Sequence, residues 1–227
     1  MMSLCSSFST VHRLPFRNTY IFEYVYIEIA ILRFNEDTPE PIMLVQATKL
    51  DEYGFWQRGS VKEMITFFSK TCAKRTPAGS RQSVQNQEYY VHVYMRSDGL
   101  CGTVTCDAEY PARVAFSLMS KVLDDVDSTF TTGKPNYWRT CKVEEGLVWP
   151  SLDEAIEKYQ NPAEADQITR IQKNLDDTRE VLHNTIDSVL QRGEKLEDLV
   201  ERSGELSTQS KLFYKQAKRA NSCCAVI

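Results

Sequence analysis

The hydrophobic pattern of residues 24–34, apolar or aromatic but for Glu28 and Arg33, alternates well enough to predict a strand, and residues 35–41 supply turn chemistry before a second strand at 42–47. From Ser60 to about residue 74 the apolar period changes to that of a helix. Val61, Ile65, Phe68 and Cys72 form one stripe expected to face a sheet, with Met64 at its edge. Ser60 and Glu63 have the spacing of a capping box. Phe67 falls off the stripe, and two readings stand: it packs beneath a loop, or it lines a surface groove that accepts something apolar. Residues 88–95 (EYYVHVYM) and 100–106 (LCGTVTC) are rich in β-formers, and Ser97-Asp98-Gly99 between them reads as a tight turn. One further strand is expected in this region. A second helix starts near Pro111 and runs to about residue 130, and residues 152–159 suit one short helix. The order predicts an α+β domain, an antiparallel sheet flanked by helices.

The pattern changes beyond Pro162. Steps of alternate threes and fours from Ile168 reach Ile171, Leu175, Thr178, Leu182, Thr185, Val189, Arg192, Leu196, Leu199, Ser203, Leu206, Ser210, Phe213, Ala217 and Ala220. Eleven of these sixteen positions are apolar, four are hydroxyl residues and one, Arg192, is charged. Residues 163–222 contain 21 charges, so random scatter would place about five on the other fifteen positions, and none is there. The seam predicts a helix that joins a bundle. Its small residues leave gaps that larger partner side chains would fill. A buried guanidinium needs acceptors, and neutral amides at the same height could supply them and fix the register. The other reading is an arginine that snorkels out of an ordinary coiled coil. Gly193 and Gly204 weaken the isolated helix, which is expected to be disordered or folded back on the N-terminal domain until partners arrive.

Composition divides at the same place. All eight prolines lie at or before Pro162, as do 22 of the 24 aromatic residues. The net charge of −4 argues against nucleic acid as a partner. No run of 18 apolar residues is present, so no spanning helix is expected. The apolar stretch 20–34 is interrupted by Glu23 and Glu28 and lacks a small-residue cleavage site, so it is not read as a leader. Seven cysteines and no glycosylation sequon point to a reduced, cytosolic environment. No cofactor and no metal site are expected: there is no Gly-rich phosphate loop and no Cys-x-x-Cys pair. Cys101 and Cys106 are five apart on a strand and would point to opposite faces, while His92 reads as a packed strand residue.

The chain ends in Cys223-Cys224-Ala-Val-Ile, a prenylation box at Cys224 with Cys223 placed for a second, palmitoyl chain. One lipid binds membranes reversibly and two anchor stably, so a switchable membrane association is expected. Lys215, Lys218 and Arg219 add attraction to an anionic leaflet.

Together, LHNTIDSVLQRGEKLEDLV around Arg192, KYQNPAEAD, EYPARVAFSLMSKVLD and the CCAVI ending resemble a longin-type R-SNARE, in particular the prenylated synaptobrevin homologs without a transmembrane tail. The resemblance implies a profilin-like longin domain at 24–150, a linker with a short helix at 151–162, an R-SNARE coiled-coil motif at 163–222 and a lipidation tail at 223–227; residues 1–23 depart from it, because longin domains usually start almost at the initiator methionine, and are expected to form an irregular extension. It further implies a parallel four-helix bundle with three Q-SNARE helices, in which Arg192 meets three glutamines. Such a protein would drive vesicle docking and fusion in transport among ER, Golgi and endosomal or vacuolar membranes, moving between cytoplasm and membrane by lipidation. A closed form in which the longin domain holds the SNARE helix is implied too, with Phe67 and Met64 as the expected groove. Two other functions compete: a longin adaptor or tether, and self-acylation of a cysteine, permitted only by the resemblance.

Overall fold

The computed structural model describes residues 26–35, 38–131, 137–161, 165 and 180–222. The expected extension at 1–23 and the lipidation tail lie outside these residues.

Strand β1 (Tyr26–Asn35) is the sheet's organising element. Ile29 and Ile31 enter one apolar cluster and Ala30 and Leu32 the other, all fully buried, because helices cover both faces. β2 (Thr38–Thr48), β3 (Arg81–Asn86), β4 (Tyr89–Met95) and β5 (Leu100–Asp107) complete an antiparallel set. The order across the sheet is β2-β1-β5-β4-β3-β6, where β6 (Val181–Thr185) pairs with β3 in parallel. The expected antiparallel sheet is therefore mixed, because a segment of the predicted coiled-coil seam supplies its sixth strand. The expected β4–β5 turn needs its glycine: Gly99 has φ +90°, and a Cβ there would lie 2.8 Å from the Phe34 carbonyl oxygen.

Helix α1 (Phe55–Lys74) begins five residues before the expected Ser60 cap. The amides of Gln57 and Arg58 already bond to the Gly54 carbonyl, so Ser60 is a buried residue inside the helix. Its apolar stripe is also broader than expected. Met64, Phe67 and Cys72 share a cluster with Leu32, Met43 and Val93 of the sheet, whereas Val61 and Ile65 pack with Leu50, Tyr53 and Phe213. α1 thus lies between two apolar neighbours, the sheet and the C-terminal segment.

On the opposite face lie α2 (Ala112–Thr131), α3 (Tyr137–Thr140) and α4 (Pro150–Lys158). Leu152, Ile156 and Tyr159, in the region read as a linker, are buried in the core of this layer. The amides of Glu145 and Leu147 bond to the carbonyls of Met43 and Leu44, which covers the outer edge of β2. Beyond β6 the chain forms α5 (Ile186–Val189), α6 (Leu196–Arg202) and α7 (Thr208–Ser222). The described part of the seam is thus a strand and three helices, not one long helix.

A buried carboxyl fixes α1 to the sheet. Glu28 is fully buried and accepts from Gln46, Ser69 and Thr105, the last at 2.9 Å; the Gln46 amide also reaches Thr66 of α1 at 2.8 Å. Burial raises the Glu28 pKa above its ordinary 4.5, against these hydrogen bonds. The folded state holds this proton to higher pH than the unfolded chain does. Its contribution is therefore complete below pH 4.5 and is lost as pH rises through the folded value. In thermal unfolding from pH 4.5 to neutrality, the midpoint of Glu28→Gln should fall less than that of the native chain. Glu28→Leu leaves three donors unmet and should be less stable at acid and neutral pH alike, by roughly 3 kcal/mol.

Candidate functional site

The C-terminal segment lies against the α1 face of the domain. β6 follows β3 in register from Arg81↔Val181 to Gln85↔Thr185, and its side chains remain exposed or half-buried. Main-chain hydrogen bonding holds it. Ile186, Leu190, Leu196, Val200 and Leu206 then enter one apolar cluster with Met64 and Phe67 of α1 and Met43 of β2. Phe67 is 8% exposed and makes an edge-on contact with Phe68, ring centroids 5.7 Å apart.

Polar contacts fix this arrangement at three points. The Arg75 guanidinium bonds to Glu194 at 2.9 Å and holds its carboxyl below the usual range. Lys70 bridges Glu144 and Glu205 at 3.2 and 3.1 Å. Glu63, expected as a capping residue, instead accepts from the Ser207 amide at 2.8 Å. Partial burial opposes ionisation of Glu63, but hydrogen bonds from Ser207 and Ser210 outweigh it and lower its pKa. Near the end of α7 an apolar cavity of about 150 Å³ lies between Tyr53, Met64, Phe68, Tyr89, Phe213 and Ala217.

The seam residues have separate fates. Leu196 and Leu206 are buried, Val189 and Leu199 pack partly on the same cluster, and Phe213 packs on Val61 and Ile65. Leu182 lies on β6 at 40% exposure. Arg192 is exposed in a turn, followed by Gly193 at φ +85°. Ile168, Ile171, Leu175, Cys223 and Cys224 lie outside the described residues.

Sequence reasoning missed Ile186, Leu190 and Val200. Each stands one position after a seam residue (Thr185, Val189 and Leu199), and Tyr214 follows Phe213 in the same way. This second apolar stripe beside the seam was the available signal, and it faces the domain. Cys101 and Cys106 enter opposite clusters of the sheet, and His92 is buried with Nδ1 2.8 Å from the Ser83 hydroxyl. Among the described residues, no group of three His, Cys, Asp or Glu side chains could hold a metal ion.

Two family models match the chain. Longin, described as a Regulated-SNARE-like domain, matches residues 50–143, and Synaptobrevin matches residues 167–224. The chain is 50% identical over 202 residues to the Synaptobrevin homolog ykt6 of Schizosaccharomyces pombe, covering 87% of this chain and 97% of that protein. It is 47% identical over 199 residues to the VAMP-like protein YKT61 of Arabidopsis thaliana, covering 88% and 98%. With the Synaptobrevin homolog YKT6 of Saccharomyces cerevisiae the identity is 43% over 194 residues, covering 86% and 96%. No helix among the described residues is long and apolar enough to cross a membrane. A longin sheet, a synaptobrevin segment and relatives matched over nearly their whole length lead to one conclusion: the chain belongs to the longin-type R-SNAREs, proteins of vesicle trafficking.

Proposed function

We propose that this R-SNARE drives docking and fusion by zippering residues 168–220 with three Q-SNARE helices, Arg192 donating to three glutamines, and that its longin domain inhibits the step by holding the same segment. One observation carries the reading. Seam residues Leu196, Leu206 and Ser210 are 5%, 6% and 0% exposed against the domain, so the contacts they make here are incompatible with a bundle core. The Arg192-Gly193 turn interrupts the helix where the bundle would have its ionic layer. Prenylation of Cys224 and palmitoylation of Cys223 would supply the membrane anchor. The apolar cavity beside Ala217, on the helix leading to Cys224, suits an isoprenoid chain in the closed form.

Glycine substitutions separate the two states. Gly193→Ala strains the closed turn by about 1 kcal/mol, because φ there is +85°. It also favours the bundle helix by about 1 kcal/mol. Gly204→Ala gains only the helix part, and its Cβ would meet nothing within 4 Å. Assembly with soluble Q-SNARE helices, followed by fluorescence, should favour the bundle by roughly thirtyfold for Gly193→Ala and about fivefold for Gly204→Ala. Equal effects would count against a closed turn at Gly193.

The second stripe gives an independent test. Val200→Ser removes a side chain that is 1% exposed but stands off the seam, so it should weaken the closed form by about 2 kcal/mol and speed assembly. Leu196→Asp combined with Leu199→Asp should abolish assembly and fusion in reconstituted vesicles. Retained fusion by that double variant would leave the adaptor reading in its place.

A further inference from the structure

In the last helix, α7, the basic residues expected to attract an anionic leaflet form one face, for which bundle formation itself has no use. Residues 208–222 contain four basic residues, Lys211, Lys215, Lys218 and Arg219, and no acidic one. At about 100° per residue these four occupy an arc of about 100°, with Leu212, 54% exposed, at its margin. Seam residues Ser210, Phe213, Ala217 and Ala220 lie on the opposite side of the helix. A bundle that took up the seam would therefore turn the basic arc outward.

In the structure this arc faces α6. Lys215 pairs with Glu201 at 2.7 Å, Lys218 with Glu197, and Lys211 donates to the Glu201 carbonyl at 2.8 Å. The lysines hold the Glu197 and Glu201 carboxyls below the usual range. Glu197 and Glu201 are one turn apart, as are Lys215 and Lys218, so the two helices match charge for charge. None of these ion pairs survives in a continuous helix. There, Glu197 and Lys218, 21 residues apart, would be separated by about 30 Å, and Glu201 and Lys215 by about 20 Å.

From this matching we infer that α6 is an internal counter-ion that masks a membrane-binding face of α7, and that the ligand of that face is an anionic lipid bilayer. Charge complementarity supports that occupant, and so does position: the arc leads directly into the residues that precede Cys223. The inference rests on the closed-and-open reading above and adds a lipid requirement to it. Exposed ion pairs are individually weak, whereas each basic residue at an anionic surface contributes about as much or more. An anionic surface can therefore compete with Glu197 and Glu201 for the lysines and favour opening at the membrane.

The test uses the full-length chain without lipid modification and sedimentation with vesicles of phosphatidylcholine, alone or with about one third phosphatidylserine. Glu197→Gln combined with Glu201→Gln should raise the fraction bound to the anionic vesicles about tenfold at low salt and leave neutral vesicles unbound. Raised salt should erase the gain, and so should adding Lys215→Gln and Lys218→Gln. Unchanged binding, or an equal gain on neutral vesicles, would overturn the inference, the latter because it would report apolar surface and not charge. Bundle assembly of the same variants without vesicles reads the fusion proposal separately: failure there would leave a tenfold vesicle gain standing.

Discussion

An apolar side chain can leave water against one partner at a time, and this exclusivity governs residues 186–214. The segment carries two adjacent apolar stripes, the seam and the row one position beyond it. The domain contacts both: Leu196 and Leu206 from the first, Ile186, Leu190 and Val200 from the second. A bundle core would take only the first. The arrangement seen here therefore has apolar contacts that the proposed bundle would give up in exchange for continuous helix and partner chains.

The domain can act as a stable receptor because its own architecture is closed off. Glu28 ties β1, β2 and β5 to α1 from beneath, so the helix keeps the orientation that directs Met64 and Phe67 toward the incoming segment. One sheet edge is covered by residues 145–147 and the other by β6. Departure of β6 would leave the β3 edge unpaired, a liability that extended chains tend to fill.

Part of this was legible in the sequence: residues 24–34 read as a strand, and the seam, charged only at Arg192, set the C-terminal segment apart from the domain. The Asp98-Gly99 turn was legible for the same local reason, its demand for positive φ. β6 was not, because Val181 to Thr185 lies within the heptad pattern and becomes a strand only where the β3 edge offers backbone partners. Local propensity carries no record of that edge. The start of α1 was misread because a good cap at Ser60 lies downstream of an earlier turn closed by Gly54. Phe67 stood off the expected stripe because that stripe was drawn for a helix with one neighbour, and α1 has two.

The pairing of β3 with β6 joins residues a hundred positions apart, Arg81 with Val181, and runs in parallel. With α4 and Tyr159 packed in the core, however, only about 20 residues separate the strand from the domain, so the loop that closes on pairing is short. A strand held by main-chain bonds makes little demand on its own side chains, so residues 181–185 can carry the seam positions Leu182 and Thr185 and still serve as the sheet's last strand: one sequence is free to satisfy two different pairings.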